Sequence, residues 1–397
     1  MSFVGVKPIV RVTLVTETFF PQINGVSRTL GKLVDHLRSV GDTVQVIHPD
    51  YGAPPASPWD VTLKAVPLPF YKEVVVPLPP FGKVDRAVRE FRPDLIHIAT
   101  EATLGLHALL ASRRWGAPVV SSFHTNFDQY TSHYRLGFIE PFVRRYLRWF
   151  HNRTRATFVP TPGLRRKLEA MGFERLHVWP RGVDACLFRP DRPHRETIRT
   201  QLGFGPETVV VGHVGRLAPE KNCSYLAEAL EILGRHHPEV GYLVVGDGPI
   251  RAELERNLGP RGRFVGFRTG EDLADHYAAC DLFAFAGLTE TFGNVLMEAM
   301  ASGLPVVALA VGGPADVVQD GITGRLLPGD TPPERFATAL AQLIEHPDQR
   351  RQWAKQARQY AETQTWSAIM QGLRDHYLRV CAESGGSSTA VAKTMSL

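Results

Sequence analysis

Cysteines are few in this sequence and follow no pattern. The 397 residues include four of them, widely separated and with no CxxC pair: Cys186, Cys223, Cys280 and Cys381. Structural zinc sites and disulfide frameworks need cysteines at short, regular spacings. The sequence therefore predicts neither kind of site and fits the reducing environment of the cytosol.

Long apolar runs and two common ligand motifs are also missing. No apolar run approaches the ~20 residues needed to cross a bilayer. The amino-terminal stretch is interrupted by Arg11 and has no small-residue cleavage site, so it predicts a first strand rather than a signal peptide. The sequence contains no DxD cluster, the motif that would indicate a bound metal. The segment VVGDGP at residues 244–249 lacks the GxGxxG spacing of a dinucleotide site. We therefore expect no metal and no cofactor.

Positive charge is concentrated in the first half of the chain. Residues 1–185 contain 24 Lys and Arg against 15 Asp and Glu, whereas residues 186–397 contain 21 against 25. A basic surface attracts anionic partners. No nucleic-acid-binding signature accompanies it, so we expect an anionic membrane surface and no nucleic acid. The alternative is that these charges are only solvated helix faces.

Short β-branched runs alternate with helical patterns, which is typical of parallel α/β layers. Residues 181–193 carry Gly and Pro without periodicity and predict a linker between two such halves. Two halves of this kind imply a cleft lined by the carboxyl ends of the strands. The predicted strands are Ile9–Val15, Thr43–His48, Leu95–Ala99, Val119–Phe123 and Ala156–Pro160, then Val209–His213, Tyr242–Val245, Arg263–Gly266, Leu282–Phe285 and Val306–Leu309.

The most informative segment is LTETFGNVLMEAMASG at residues 288–303. Its apolar pattern predicts a helix from about Asn294, which places Glu290 in the loop before the helix and Glu298 one turn into it. Gly293 permits close backbone approach, and the first helical turn offers free N–H groups to an anion. A carboxylate at each end of a phosphate cradle suits a nucleotide-sugar. The alternative is an ordinary loop–helix junction with a capping acid.

Three further segments follow predicted strands. In FFPQINGVSRTL the pair Asn24-Gly25 can place amides near a phosphate, or form a plain tight turn. In GRLAPEKN the cations Arg216 and Lys221 could clamp a diphosphate, although such residues are commonly only surface charges. In SSFHTNF the ring of His124 lies at the predicted cleft edge, where a histidine is often just a hydrogen-bonded packing residue.

Together these segments resemble the retaining family 4 glycosyltransferases of the GT-B fold. The resemblance rests on GRLAPEK, GDGP and ETFGNVLMEAMASGLPVVA, then on GG at residues 312–313 and DGITGRLL at residues 320–327, and it runs from about residue 10 to residue 380. It implies two Rossmann-like domains facing across a deep cleft. Its implied boundaries are an acceptor-binding domain at residues 1–185, a nucleotide-sugar-binding domain at 186–365, a crossover helix at 366–380 that packs on the first domain, and a disordered tail at 384–397.

The resemblance also implies a role for each candidate residue near the glutamates. Glu290 would contact the transferred hexose, and Glu298 would bind the nucleotide ribose. The base would stack or hydrogen-bond near Gly266 and Phe267. The backbone amides that cradle the distal phosphate and the hexose would be those of Phe292, Gly293, Asn294 and Val295.

The remaining implied roles concern the leaving group and the other domain. Arg216 and Lys221 would neutralise the charge of the diphosphate. In other folds a bound metal ion neutralises this charge. Gly25 would close its loop over the donor, and His124 would face the reacting sugar. Whether Glu290 or His124 ever acts as a nucleophile is not determined by the sequence.

Within the family, TETFFPQINGVSRTL, SSFHTNFDQY and FAGLTETFGNVLMEAMASG are most similar to bacterial mannosyltransferases. These use GDP-mannose and act on lipid-linked or glycolipid acceptors. We therefore expect a retaining, metal-independent hexosyltransferase in the cytoplasm, peripheral on the inner face of the cell membrane. The alternatives are a UDP-sugar-dependent glucosyl- or sulfoquinovosyl-diacylglycerol synthase, a nucleotide-sugar epimerase of the same architecture, or a module that only binds.

The predicted membrane contact is an arginine-rich helix over residues 138–155. It carries Phe142 and Trp149 among its apolar residues, and such a helix can lie in a membrane interface. The competing interpretation is that its aromatic residues pack in the core and its cations are solvated. The five cations are Arg144, Arg145, Arg148, Arg153 and Arg155.

Overall fold

A computed structural model describes residues 9–385, apart from 23, 53–54, 56, 69–70, 80 and 125–139. The chain divides into two compact units, and the first is formed by Met1–Pro180 together with Ile369–Leu397. The second unit is Arg181–Ala368. The tail predicted to be disordered lies outside the described residues from residue 386 on.

Within the described residues, the first unit is built on a seven-stranded parallel sheet of order β3-β2-β1-β6-β7-β8-β9. An antiparallel pair, β4 with β5, lies outside this sheet. The strands are β1 Arg11–Val15, β2 Thr43–Pro49, β3 Val61–Leu63, β4 Ala65–Leu68, β5 Tyr71–Pro77, β6 Leu95–Ile98, β7 Val119–Ser122, β8 Thr157–Val159 and β9 Leu176–Val178. The helices are α1 Gly25–Ser39, α2 Gly82–Phe91, α3 Thr103–Trp115, α4 Glu140–His151 and α5 Pro162–Ala170.

The second unit contains a six-stranded parallel sheet of order β12-β11-β10-β13-β14-β15. Its strands are β10 Val210–Val214, β11 Gly241–Val245, β12 Gly262–Gly266, β13 Leu282–Phe285, β14 Val306–Leu309 and β15 Gly324–Leu327. Its helices are α6 Arg195–Gln201, α7 Cys223–His236, α8 Arg251–Leu258, α9 Gly270–Ala278, α10 Asn294–Ala301, α11 Gly313–Val317, α12 Pro333–Glu345 and α13 Pro347–Thr363. Helix α14, Trp366–Glu383, returns the chain to the first unit.

The prediction of two parallel α/β halves is confirmed, and each of the ten predicted strands is present within a few residues. The sequence interpretation missed the edge strands β3, β9 and β15 and the β4–β5 pair. The three missed edge strands are short and only partly buried. Predicted strands of the same length, such as β6 and β8, are buried throughout. A short strand that is partly exposed gives a weaker apolar signal in the sequence, so packing against the sheet decides its conformation.

Helix α14 is attached to the first unit by a buried ion pair. Arg374 donates to both carboxylate oxygens of Asp42, with 2.6 Å from Nε to Oδ2 and 2.8 Å from Nη2 to Oδ1. The two side chains are 1% and 0% exposed. One oxygen of Asp42 also accepts from the N–H of Val10, which precedes β1. The last helix is thereby bonded to the start of the first sheet, more than three hundred residues earlier.

Candidate active site

Two loops of the second unit are held together by glycines at the carboxyl ends of β10 and β11. A Cβ on Gly246 would lie 1.9 Å from the carbonyl oxygen of Gly215, and one on Gly248 would lie 2.1 Å from that of Leu217. The N–H of Leu217 bonds to the carbonyl of Asp247 at 2.9 Å. The GDGP loop is therefore a backing surface for the loop that carries Arg216 and Lys221.

Lys221 and Glu290 form an ion pair between the loops that follow β10 and β13. The Lys221 Nζ lies 2.8 Å from the Glu290 Oε2, and both side chains are partly exposed. Arg216 is 69% exposed and its Nη1 lies 3.5 Å from Glu220. One predicted cation is thus anchored to the predicted hexose-binding glutamate, whereas the other extends from the same loop towards solvent.

The loop of Glu290 is fixed from behind by the glycine pair that follows β14. The Gly313 N–H bonds to the Glu290 carbonyl at 2.7 Å. A Cβ on Gly312 would lie 2.4 Å from that same carbonyl oxygen, and one on Gly313 would lie 2.4 Å from the carbonyl of Phe292. The glycine pair therefore permits a backbone approach that side chains would prevent, and it sets the position of Glu290.

The amino terminus of α10 lies directly after Glu290. Gly293 is its N-cap residue with φ +87° and provides no side-chain cap. The first amide bonded back to the cap is that of Leu296, at 2.9 Å from the Gly293 carbonyl, so the preceding amides are not used by the helix. Buried Phe292 and the predicted cradle residues Asn294 and Val295 thus form a helix mouth suited to an anion.

Glu298 lies one turn into α10 and has a specific partner. The hydroxyl of Tyr277, on α9, donates to the Glu298 Oε2 at 3.0 Å. Burial, followed by the charge of Glu298, raises the pKa of Tyr277 well above its ordinary value, so the phenol remains a donor. The sequence interpretation missed Tyr277, because only the fold brings α9 next to α10.

The two residues predicted to contact the nucleotide base lie at the carboxyl end of strand β12 and directly after it. Gly266 has φ +76°, and its carbonyl accepts from the N–H of Gly246 at 2.9 Å. Phe267, the next residue, is 77% exposed. An exposed ring on a loop bonded to the GDGP segment is available for stacking on a planar base.

In the first unit, Gly25 begins α1 directly after its N-cap residue. Asn24 accepts from the N–H groups of Val26 and Ser27 at 3.0 and 2.9 Å, and Ser27 in turn accepts from the Asn24 N–H. A Cβ on Gly25 would meet nothing within 4 Å. The fold of the unit itself therefore does not demand glycine at this position, and the surface above it is open.

His124 lies just after β7 and is half-buried. Its Nε2 is 2.8 Å from the Oγ of Ser122, and its ring packs at an edge against Trp179 with the centroids 6.1 Å apart. The histidine is thus hydrogen-bonded, as the alternative interpretation expected. The rest of its motif, residues 125–127, lies outside the described residues.

A buried carboxylate in the first unit was not predicted. Glu17 follows β1, and its Oε1 accepts from the N–H groups of Leu104 and Gly105 at 2.8 and 3.1 Å. Burial raises the pKa of Glu17 to about 7. Perturbed acids of this kind are common at functional sites. The Thr100 hydroxyl donates to the other carboxylate oxygen. Among the described residues, Glu17 therefore joins the loop after β1 to the loop after β6 and to the first turn of α3.

The arginine-rich segment is only partly the predicted helix. Helix α4 ends at His151, so Arg153 and Arg155 follow it and the prediction of five arginines on one helix was wrong. The chain turns because the N–H of Arg153 bonds to the carbonyl of Phe150 at 3.1 Å and the Asn152 side chain bonds to the next loop. The guanidinium carbon of Arg153 lies 4.3 Å from the centroid of the Trp149 ring, a cation–π contact.

The surface of α4 divides cleanly. Leu147 and Phe150 are buried in the core of the first unit, whereas Phe142 is 73% exposed. The cations Arg144, Arg145 and Arg148 are exposed. No helix among the described residues is long and apolar enough to cross a bilayer. Across the same part of the chain, no cluster of three or more His, Cys, Asp or Glu side chains could hold a metal ion.

Comparison with known proteins identifies the family. Residues 194–360 match the family described as Glycosyl transferases group 1, and residues 23–186 match the one described as Glycosyltransferase Family 4. A GDP-mannose-dependent alpha-mannosyltransferase of Mycobacterium tuberculosis is 36% identical over 93% of this chain and 96% of its own length. The chain belongs to the family 4 glycosyltransferases of the GT-B fold.

Other relatives of this glycosyltransferase extend the comparison. The sulfoquinovosyl transferase SQD2 of Arabidopsis thaliana is 31% identical over 90% of this chain and 71% of its own. The solved structure of HepE from Anabaena in complex with UDP has a TM-score of 0.75 at 23% identity, covering 94% of this chain and 100% of that one. The fold prediction is therefore confirmed, and a transferase rather than an epimerase is supported.

Proposed function

We propose that this glycosyltransferase moves mannose from GDP-mannose to a lipid-linked or glycolipid acceptor, with retention at the anomeric carbon and without a metal ion. The GDP-mannose-dependent relatives, similar over almost the whole chain, support the donor. The observation that carries the proposal is the Lys221–Glu290 pair beside the open mouth of α10. It places a cation, a carboxylate and free amides at one point.

The proposed chemistry uses those groups in sequence. Cleavage of the anomeric C–O bond leaves cationic character on the sugar and negative charge on the diphosphate. Arg216, Lys221 and the amides of the helix mouth would stabilise the diphosphate, and preorganised donors of this kind contribute strongly to catalysis. The Glu290 carboxylate would stabilise the sugar cation while an acceptor hydroxyl attacks the face that the diphosphate leaves. The hydroxyl proton would pass to an oxygen of the departing diphosphate.

The other candidate residues would bind the donor. Glu298, oriented by the Tyr277 hydroxyl, would accept hydrogen bonds from the ribose. Phe267 would stack on the base, and Gly25 would let its loop approach the donor closely. His124 would contact the transferred sugar.

A UDP-sugar is the second candidate donor. The similarity to SQD2 and to the alpha-monoglucosyldiacylglycerol synthase of Streptococcus pneumoniae favours it, the latter at 27% identity over 85% of this chain. The exposed ring of Phe267 would stack on either base.

The decisive experiment offers the purified protein a panel of GDP- and UDP-sugars and measures release of the nucleoside diphosphate, with and without glycolipid acceptors. We expect release from GDP-mannose that increases with acceptor, and an α-linked product. Faster release from UDP-glucose or UDP-sulfoquinovose would favour the second donor class. Isomerisation of a nucleotide-sugar without acceptor would indicate an epimerase, and binding without release would indicate a module that only binds.

Metal independence has its own test. Arg216 and Lys221 supply the positive charge that a divalent ion provides in other transferases. We expect full activity in excess EDTA, with no stimulation by Mg²⁺ or Mn²⁺. Loss of activity in EDTA that is restored by one of these ions would contradict this part of the proposal.

We further propose that the exposed face of α4 attaches the enzyme to an anionic membrane at the inner face of the cell membrane. Phe142 and the three exposed arginines of the helix support this proposal. Each cation near an anionic surface contributes about 1 kcal/mol, so several together give reversible attachment. Such attachment would bring the enzyme to a lipid acceptor.

A further inference from the structure

A buried row of hydrogen bonds joins the carboxyl-terminal helix to His124. The Tyr377 hydroxyl, on α14, lies 2.5 Å from Nδ1 of His97. On the other side of that ring, Nε2 lies 2.9 Å from the Oγ of Ser122. The same oxygen is 2.8 Å from Nε2 of His124. All four residues belong to the first unit, and three of them are almost fully buried.

The protons in this row have one satisfactory arrangement. His97 is fully buried, and desolvation lowers its pKa to about 3, so its ring is neutral with one N–H and one lone pair. Tyr377 makes no other hydrogen bond in the described part of the chain. A buried hydroxyl without an acceptor is costly, so it must donate to Nδ1 of His97.

The donor and the acceptor of each remaining hydrogen bond in the row are then determined. Since Nδ1 of His97 accepts, its proton is on Nε2, and this N–H donates to Ser122. The Ser122 hydroxyl has a single proton, which is left to donate to Nε2 of His124. A neutral His124 must then carry its own proton on Nδ1, because the hydrogen bond made by one ring nitrogen sets the state of the other.

We propose that Tyr377, His97 and Ser122 are positioning residues that hold neutral His124 in the tautomer with its proton on Nδ1. In this form Nε2 is committed to Ser122, and Nδ1 is a hydrogen-bond donor. An oxygen atom that His124 contacts through Nδ1 would therefore accept a hydrogen bond and would not lose a proton to the ring. That the oxygen belongs to the transferred sugar rests on the proposed function; the tautomer does not.

The placement of Tyr377 on α14 is well secured. One turn before it, Arg374 is bonded to Asp42, and one turn after it, the Cys381 Sγ lies 3.5 Å from the carbonyl of Asp94. The three residues lie on one face of the helix. The final helix of the chain thus fixes the hydroxyl that begins the row, and an enzyme lacking this helix would lose control of the His124 tautomer.

Nitrogen NMR of protein labelled with ¹⁵N-histidine measures the tautomer directly, with His124→Gln used to assign the signal. In the wild type without ligands we expect the proton on Nδ1. Ser122→Ala disconnects His124 from the row, and we expect its signals to change to those of the Nε2–H form or of a mixture. Tyr377→Phe removes only one oxygen atom, and we expect the His124 signals to change in the same direction but by a smaller amount.

A matched control removes a buried hydroxyl elsewhere. Tyr242 is fully buried and its hydroxyl donates to the Leu230 carbonyl at 2.7 Å in the second unit, so Tyr242→Phe should leave the His124 signals unchanged. A proton on Nε2 in the wild type would overturn the proposal. So would an unchanged tautomer in the folded Ser122→Ala and Tyr377→Phe variants.

Kinetics give a second readout. Tyr377→Phe should lower kcat by about tenfold with little change in KM for the donor, by analogy with metal-bound histidines, whose outer hydrogen-bond partners cost roughly 10–100-fold when removed. A proportional loss of kcat in Tyr242→Phe would assign the effect to general destabilisation and contradict the positioning role. If the wild type releases no nucleoside diphosphate from any nucleotide-sugar, the proposed function fails while the tautomer result stands.

Discussion

Lys221 donates to Glu290 across two loops of the second unit, with 2.8 Å between Nζ and Oε2. The residues are 69 positions apart in the chain and follow strands β10 and β13, which are neighbours in the sheet. A bound diphosphate would compete with Glu290 for this ammonium group. Lys221 is therefore placed to respond to negative charge that develops on a leaving group near Glu290.

Removal of either loop cation should impair turnover. We expect Lys221→Ala and Arg216→Ala each to lower kcat by on the order of 10²-fold, because each removes charge stabilisation in the transition state. Arg235→Ala is the matched control, since Arg235 is 65% exposed and pairs with Glu231 one turn away on α7, much as Arg216 pairs with Glu220. Near-wild-type rates in both loop variants would rule out a diphosphate site at this loop.

Substitution of the two glutamates should have different effects, one chiefly on nucleotide binding and the other chiefly on turnover. Glu298→Gln should weaken binding of the nucleoside diphosphate by about tenfold, roughly 1.4 kcal/mol, because an amide is a poorer acceptor for ribose hydroxyls. Glu290→Gln should chiefly lower kcat, since in the proposed mechanism its charge would stabilise the sugar cation. Calorimetry with GDP alone distinguishes them, and equal losses of affinity would mean that the division of roles is wrong.

The sequence predicts which loops carry the site better than it predicts the contacts within them. Arg216, Gly293 and Glu290 directly follow or precede recognisable strands and a helix, so the parallel sheet places them at one edge. The hydrogen-bond partner of a side chain cannot be predicted in this way. Tyr377 and His97 are 280 positions apart, and no local pattern connects a phenol on the last helix to a histidine on β6.

Substitution of Gly312 tests how strongly kcat depends on the position of Glu290. Gly312→Ala would place a Cβ 2.4 Å from the Glu290 carbonyl, so the loop must shift, and a displacement of about 1 Å can cost on the order of 10²-fold in rate. Gly321→Ala is the control, because Gly321 has a similar φ of +73° with nothing within 4 Å. Both variants carry the strain of a positive φ. Only Gly312→Ala should lose kcat, and equal activity would contradict the positioning role of the glycine pair.

The buried pair of Arg374 and Asp42 should be needed for stability. Arg374→Ala leaves an uncompensated buried carboxylate, and we expect a loss of about 3–5 kcal/mol in the free energy of unfolding, measured by urea titration. Arg351→Ala breaks a pair whose partner Asp348 is 95% exposed, and it should cost less than about 1 kcal/mol. The double variant Arg374→Met with Asp42→Asn should recover part of the loss. A stability equal to that of the Arg351 variant would show that the pair contributes little.

Attachment to membranes can be measured with vesicles of defined charge. We expect the purified protein to co-sediment with anionic but not neutral liposomes and to be released by high salt, because surface attraction is screened by ions. Arg144, Arg145 and Arg148 are exposed, so their joint replacement by Gln should weaken attachment without unfolding the protein. Phe142→Ser should weaken it as well, since its exposed ring is the apolar part of that surface.

The matched control for this charge change replaces three exposed arginines of the second unit: Arg235, Arg256 and Arg351. It lowers the net charge by the same amount but leaves α4 intact, so attachment should persist. Equal weakening in both triple variants would assign the effect to overall charge and not to the helix. Sedimentation with neutral and anionic vesicles alike, or with neither, would defeat the membrane proposal. A water-soluble acceptor would then be favoured, because the proposed surface attachment would no longer bring the enzyme to a lipid acceptor.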